Sequence, residues 1–321
     1  MIAFIDSHRG QFGVELICRT LRAAGVGFLT SRGYRAAKTR TASARSVRDT
    51  VLVELISTLH AENFSVYGVK KMHAAINRAG HHIGRKQTRR LMRLARVRGV
   101  QRAAKVFTTR PDPIAVRPTD RVQRQFRADR PNQLWVVAIT DVRTWQGFAY
   151  TAFVTDACTR VIVGWHVAAT MRTEDLPLQA FNHAVWQRNT DLSGLTHHSD
   201  HGSQYLSLTY TDRLIELGII PLVGTVGDSY DNALAESVNA SSKTELIRQR
   251  RPWRTVEQME LATCEWVWWY NQQRLHEALD YQPPTEFEAA LNGASAICES
   301  TVPALATTQE LNLGYLSSGS H

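Results

Sequence analysis

The stretch LWVVAITDVRTWQGFAYTAFVTDACTRVIVGWHVA (134–168) decides the fold. Valine, isoleucine, threonine and aromatic residues recur there in runs bounded by turn residues, a composition that suits half-buried strands. The runs are LWVVAITDV (134–142), FAYTAFVTD (148–156) after a turn at Gln146-Gly147, and RVIVGWHVA (160–168), which together read as a meander. Toward the C-terminus, Thr173 with Glu174 and Asp175 behind it reads as the cap of a helix to about Trp186. A strand near 195–199 ends at Asp200, a helix near 208–217 stops at Gly218, and IIPLV (219–223) is a short strand. A last helix begins after Asp228-Ser229 and holds Asn232, Glu236 and Lys243. The order β-β-β-α-β-α-β-α predicts an α/β core with a mixed sheet.

The whole chain has 321 residues, 43% apolar and 21% charged, enough for two packed domains and unlike a disordered chain. No run approaches the roughly 18 apolar residues of a membrane span. The opening MIAFIDSHRGQFG places Asp6, His8 and Arg9 where a signal peptide needs an apolar core, so a cytoplasmic, nucleoid-associated protein with no membrane partner is expected. Cys18, Cys158, Cys264 and Cys298 are too scattered for a disulfide framework or a zinc site and read as packing residues.

The charge is split along the chain. Residues 1–130 hold 27 Lys+Arg against 8 Asp+Glu, or +19, and residues 131–321 hold 11 against 21, or −10. A cationic first half calls for a polyanion, with double-stranded DNA the leading candidate and a solvated basic surface the alternative. Within it, Ser65 would cap a helix over 66–79 that stops at Gly80, HHIG would turn, and RKQTRRLMRLARVRG would form a second helix. Ile83, Leu91, Leu94 and Val97 would point inward, while Arg85, Arg89, Arg93 and Arg96 recur on another face. This is a helix-turn-helix reading for about 65–99 inside an all-α DNA-binding region, 1–107. Arg85, Lys86, Arg89, Arg90 and Arg93 are its candidate DNA contacts, and Lys70 and Lys71 would enlarge the patch. Pro111, Pro113, Pro118 and Pro131 then mark 108–131 as an extended basic linker before a core at 132–250.

In the core, Asp200 ends a strand and Glu236 stands on a helix with 35 residues between them. Carboxylates at strand ends suit Mg²⁺, and two such ions clamp the oxygens of an in-line phosphoryl displacement. The flanking segments HHSDHGSQY (197–205) and GDSYDNALAESVNASSKTELI (227–247), with SVYGVKKMHAAIN, GRKQTRRLM and YNQQRLHEALDYQPPTEF elsewhere, resemble those of bacterial insertion-sequence transposases. The chain is similar to the second-frame (OrfB) products of insertion sequence family three, within the integrase-core superfamily.

That resemblance implies an RNase H-like catalytic core and an Asp-Asp-Glu triad holding two Mg²⁺ or Mn²⁺ ions. It implies 3′-end cleavage at the element's terminal inverted repeats and strand transfer into target DNA by a homo-oligomer. It further implies that the upstream reading-frame product, or a fusion with it, is a partner. Carried over, Asp200 is the second aspartate and Glu236 the glutamate, both metal ligands, and Lys243 is a basic residue touching the element's end. The first aspartate is missing: the family's tryptophan, two small or apolar residues and aspartate correspond here to Trp135, Val136, Val137 and Ala138. Asp141 would face the other way unless a bulge intervened. The expectation is a catalytically inactive variant that still binds DNA. The alternatives are a DNA-binding regulator with a degenerate core and an RNase H-like nuclease.

The remaining candidates carry less chemistry. Asp156 reads as a turn residue, and His197, His198 and His201 as supporting or substrate-contacting groups around Asp200. Thr255 and Gln258 read as a capping box for a helix to Tyr270, whose Trp266, Trp268, Trp269 and Tyr270 would be core, within a helical extension at 251–291. Residues 292–321, rich in Ala, Ser, Thr and Gly, read as a loosely ordered tail.

Overall fold

The computed structural model describes residues 1–101, 128–199, 204–205, 207–223 and 233–300, with side chains to residue 293 except at 223. Most of the linker, residues 102–127, lies outside this set, as do Asp200, His201, Asn232 and residues 301–321. The chain forms two compact units, Met1–Ser57 and one that begins at Thr58. The division falls inside a helix upstream of the basic linker.

In the first unit α1 (Ile2–Phe12), α2 (Val14–Ala23) and α3 (Ser31–Thr39) close around Ile5, Ile17, Cys18 and Tyr34. Tyr34 donates to Asp6 at 2.6 Å, and this bond with Lys38 holds the Asp6 carboxyl below its usual range. Helix α4 (Ala44–Glu62) crosses into the second unit.

There, α5 (Val69–Arg78) and α6 (Arg85–Leu94) form the helix-turn-helix. Met72, Ala75 and Ile76 meet Thr88, Leu91 and Met92 inside it, and Asn77 pins the turn by accepting from the Ile83 amide at 3.2 Å. The first helix starts three residues later than expected, because Phe64 and Ser65 take left-handed backbone (φ 54 and 57) to end α4 and Gly68 is the N-cap. Leu94 is exposed rather than inward, and Met92 takes the core position, since residues 88, 91 and 92 share the inner face.

The core carries β1 (Leu134–Thr144), β2 (Gly147–Asp156), β3 (Ile162–Ala168), α7 (Pro177–Arg188), β4 (Thr196–Ser199), α8 (Leu208–Glu216) and β5 (Ile220–Val223). Helix α9 (Ala233–Ser242) runs into a π-helical turn, Lys243–Ile247, before α10 (Val256–Gln272) and α11 (Pro284–Ser300). The sheet order is β3-β2-β1-β4-β5, antiparallel from β3 to β1 and parallel from β1 to β5, so the mixed α/β sheet is as expected. Trp135, Val137, Ala152, Val154 and Val163 pack with α7 and α8 on one face. Leu134, Val136, Ala138 and Ala157 meet Ala235 of α9 on the other, where Phe153 also stacks edge-on to Trp266 of α10. Asp156 is the structural residue expected: fully buried, it accepts from the amides of Asn132, Cys158 and Thr159 and closes the β2–β3 turn.

Several side chains play other parts than expected. Thr173 does not cap α7; it is buried and donates to the Gln204 carbonyl, and α7 starts at Pro177, whose missing N–H costs nothing in a first turn. Thr255 does cap α10, accepting from the Gln258 amide, but Trp268 and Cys264 are exposed while Trp266, Trp269 and Tyr270 are core. Helix α11 continues to Ser300, into the stretch whose composition carries no pattern.

A buried ion pair ties the end of α10 to the π-helical turn, beside contacts that reach the helix-turn-helix. Arg274, just past α10, forks onto Glu245 of the π-helical turn (2.8 and 2.7 Å), with both side chains about nine-tenths buried. Its guanidinium lies over the Tyr270 ring, and burial and the Arg274 charge push His276 down to about 2, so that imidazole stays neutral. The adjoining Leu275 amide donates to the Tyr67 hydroxyl at 2.8 Å, Trp269 donates to Asn63, and Lys70 pairs with Glu277 at 2.7 Å. Lys70 and Glu277 are both largely exposed, so the pair is a weak surface contact, and Lys71 stands over the Tyr67 ring.

At Gly164 a Cβ would lie 2.3 Å from the Ala180 carbonyl and 2.6 Å from Ala184, so Gly164→Ala should cost about 1–3 kcal/mol in urea unfolding. Glu245→Ala strands the Arg274 charge and should cost about 3–5 kcal/mol, and the apolar double variant Glu245→Leu/Arg274→Met should regain most of that in the same measurement.

Candidate active site and nucleic-acid interface

The site is built on β1 and α9. Side chains alternate across β1, so Leu134, Val136 and Ala138 point to the α9 face. Ala138 is buried and shares a small apolar cluster with Leu234 and Ala235, which immediately precede Glu236. Glu236 itself is exposed in the first turn of α9. The pairing Val136↔His198 sets Ser199, the last residue of β4, level with Val137. Asp200, next in sequence, is outside the described residues, so the described geometry brings together position 138 and the helix of Glu236.

No bulge rescues Asp141. The β1–β2 ladder runs from Trp135↔Asp156 to Thr144↔Gly147 without a register shift, which leaves Asp141 on the face opposite Ala138. Beyond its short pairing with β4, the edge of β1 is met by α9, where Asn239 donates to the Ile139 carbonyl at 3.0 Å. Lys243 opens the π-helical turn, and its ammonium lies 3.3 Å from Asp141. Both side chains are substantially exposed, and such a pair is worth at most about 1 kcal/mol, little enough for a phosphate to displace it.

Of the histidines in the HHSDHG segment, His197 and His198 are core residues, and His201 lies outside the described residues. His197 is fully buried, bonded to the Tyr210 hydroxyl at 2.9 Å and packed edge-on against Phe181. Burial pushes its pKa down to about 3, so it is a neutral core residue and not a substrate contact. His198 is buried as well. Among the described residues no group of three or more His, Cys, Asp or Glu could hold a metal ion. The donor set that the sequence resemblance implies has a methyl group, packed on Ala235, at one of its three positions. As it stands it does not fit two divalent ions.

The second surface is α6. Arg85, Lys86, Arg89 and Arg93 are exposed along it, and Arg90 is half-buried. Glycine at the N-cap leaves the first turn of α6 without a capping side chain, so its amides remain available to an anion. Sequence reading found these cations from their helical spacing. It missed the Arg274–Glu245 pair, whose members are 29 residues apart and belong to different elements. The signal available was a lone arginine set among aromatic residues in WVWWYNQQRLH, since a charge there needs a buried partner.

Comparison with known proteins identifies the two regions that carry these surfaces. An integrase core domain model matches residues 128–229, a second integrase core model matches 217–284, and an HTH-like domain model matches 46–105. The putative transposase for insertion sequence element IS986/IS6110 of Mycobacterium tuberculosis (strain ATCC 25177 / H37Ra) is 48% identical over 255 residues, 78% of this chain and 91% of that protein. The transposase for insertion sequence element IS629 of Shigella sonnei is 44% identical over 290 residues, 90% of this chain and 96% of the relative. Transposase InsF for insertion sequence IS3A of Escherichia coli (strain K12) is 27% identical over 298 residues, covering 89% and 97%. With an RNase H-like integrase core behind a helix-turn-helix, and relatives of this identity over nearly their full length, the chain belongs to the insertion-sequence transposases, in the OrfB type of insertion sequence family three.

Proposed function

We propose that this chain binds the terminal inverted repeats of its own mobile element through α6, and that with alanine at position 138 it holds DNA without cutting or joining it. The observation that carries the reading is the packing of Ala138 against Ala235, beside Glu236. A carboxylate at 138 would project from β1 toward the helix that carries Glu236. The methyl group there can neither bind a cation nor accept a hydrogen bond.

The scaffold belongs to a polynucleotidyl transferase. In a chain with aspartate at 138, Mg²⁺ (or Mn²⁺), as two ions held with Asp200 and Glu236, would supply charge stabilisation to the attacking and leaving oxygens of a 3′-end cleavage or strand transfer. This chain's own residues bind and orient: the arginines of α6 take phosphates, and Lys243 exchanges Asp141 for the strand near the cleft. Two element ends require at least two copies of the chain, so a homo-oligomer is the working form, with the upstream reading-frame product or a fusion to it as a further partner.

A second reading, a DNA-binding regulator that occupies ends without ever acting on them, draws its support from the same Ala138. The Ala138→Asp variant separates the two. On a labelled duplex carrying an element end, with Mg²⁺, the variant should nick and join while the present chain stays at background. Equal nicking by both chains overturns the proposal, an inert variant favours the regulator, and cleavage without joining favours a nuclease. Removal of α6 cations is read by salt titration: Arg89→Ala/Arg93→Ala should weaken binding and flatten the log-log salt slope by about 0.9 for each phosphate that is no longer neutralised.

A further inference from the structure

The β1–β2 hairpin ends in a surface that the proposed DNA reading does not use. Trp145 at its tip is 69% exposed and Phe148 beside it is 50% exposed. The Arg254 guanidinium lies 5.2 Å from the Trp145 ring centroid, so one face of the indole is backed by a cation while the ring stays open to solvent. The tip is held in place, since the Trp145 amide donates to the Trp253 carbonyl at 3.0 Å and Trp253 is buried. Across the ladder Arg143 pairs in register with Phe148, and Phe148 stacks on Tyr150 at 6.3 Å. Trp145 and Phe148 together make one exposed aromatic patch, fixed by the Trp145 amide bond and edged by the Arg254 guanidinium.

The charge says what covers it. The chain after residue 130 is net acidic, yet of its eleven Lys and Arg six belong to this hairpin or to 243–254: Arg143, Lys243, Arg248, Arg250, Arg251 and Arg254. Asp141 and Glu265 are already paired, with Lys243 and Arg250. Arg143, Arg248 and Arg251 are exposed. Aromatic faces interleaved with arginine are the chemistry of a nucleic-acid strand, where bases stack on rings and phosphates meet cations. Trp145 is seven residues after Ala138, one past the end of β1. At about 3.3 Å per residue this is roughly 23 Å, the axial length of about seven stacked nucleotides, so a single-stranded extension of that length spans the distance.

We propose that the β1–β2 hairpin tip is a second DNA-binding site, at which Trp145, backed by Arg254, stacks an unpaired base of a strand leading away from position 138. This site rests on the DNA-binding reading above. The test uses the full chain, with a fluorescein-labelled duplex of about 30 base pairs bearing a single-stranded 3′ extension of about seven nucleotides, and the same duplex blunt-ended. Trp145→Ala should weaken binding of the extended probe about tenfold and leave the blunt probe within about twofold, while Trp145→Phe retains most of the affinity. Arg254→Ala should weaken the extended probe and lower its salt slope by about one. Equal effects of Trp145→Ala on both probes, or none on either, overturn the stacking site. So does an effect confined to self-association in sedimentation, which would make the tip a contact between copies. If the wild-type chain binds neither probe, the DNA-binding reading fails and takes this site with it.

Discussion

The contact between β1 and α9 is the constraint on which the rest depends. Beyond its short pairing with β4, the edge of β1 would present bare carbonyls, and α9 covers it, with Asn239 satisfying the Ile139 oxygen. Small side chains at 138 and 235 let helix and strand approach, and Glu236 follows directly at the rim. The π-helical turn then sends the chain to Glu245, where Arg274 clamps it, so the helix that bears the candidate glutamate is fixed at both ends. Because Arg274 is followed by Leu275, whose amide seats the Tyr67 hydroxyl, the same clamp sets the position of the helix-turn-helix in the second unit. Burial raises the Tyr67 phenol to about 12, so the hydroxyl keeps its proton throughout the working pH range.

Much of the fold was readable because its signals are local. The meander over 134–168 declared itself through β-branched and aromatic runs, Gly147 (φ 125) supplies the hairpin backbone that its turn needs, and Gly218 (φ 65) ends α8 as its position implied. The cationic face of α6 followed from helical spacing. Local rules failed where a tertiary partner overrode them. Ser65 looked like a cap and is a left-handed turn, and Thr173 looked like a cap and serves the Gln204 carbonyl. His197 is the sharpest case: its neighbours in sequence suggest chemistry, but the strand buries it against Tyr210 and Phe181.

The candidate site was readable only through a pattern of words, since Ala138 by itself is an ordinary strand residue. Its meaning comes from register. An unbroken ladder fixes which face 138 and 141 occupy, and this removes Asp141 as a substitute where sequence alone had left a bulge open. The aromatic tip of the hairpin went unnoticed in the sequence because Trp145 and Arg254 are far apart in the chain, and exposure of a ring is not written in composition.

The central claim is that position 138 is the absent third ligand across from Glu236. Mn²⁺ binding, counted by electron paramagnetic resonance on the chain in complex with DNA, tests it without any turnover. Ala138→Asp should take up two ions per chain where the unaltered chain takes up at most one. Equal stoichiometry and affinity in both would contradict the claim and place the metal chemistry, if any, elsewhere in the fold.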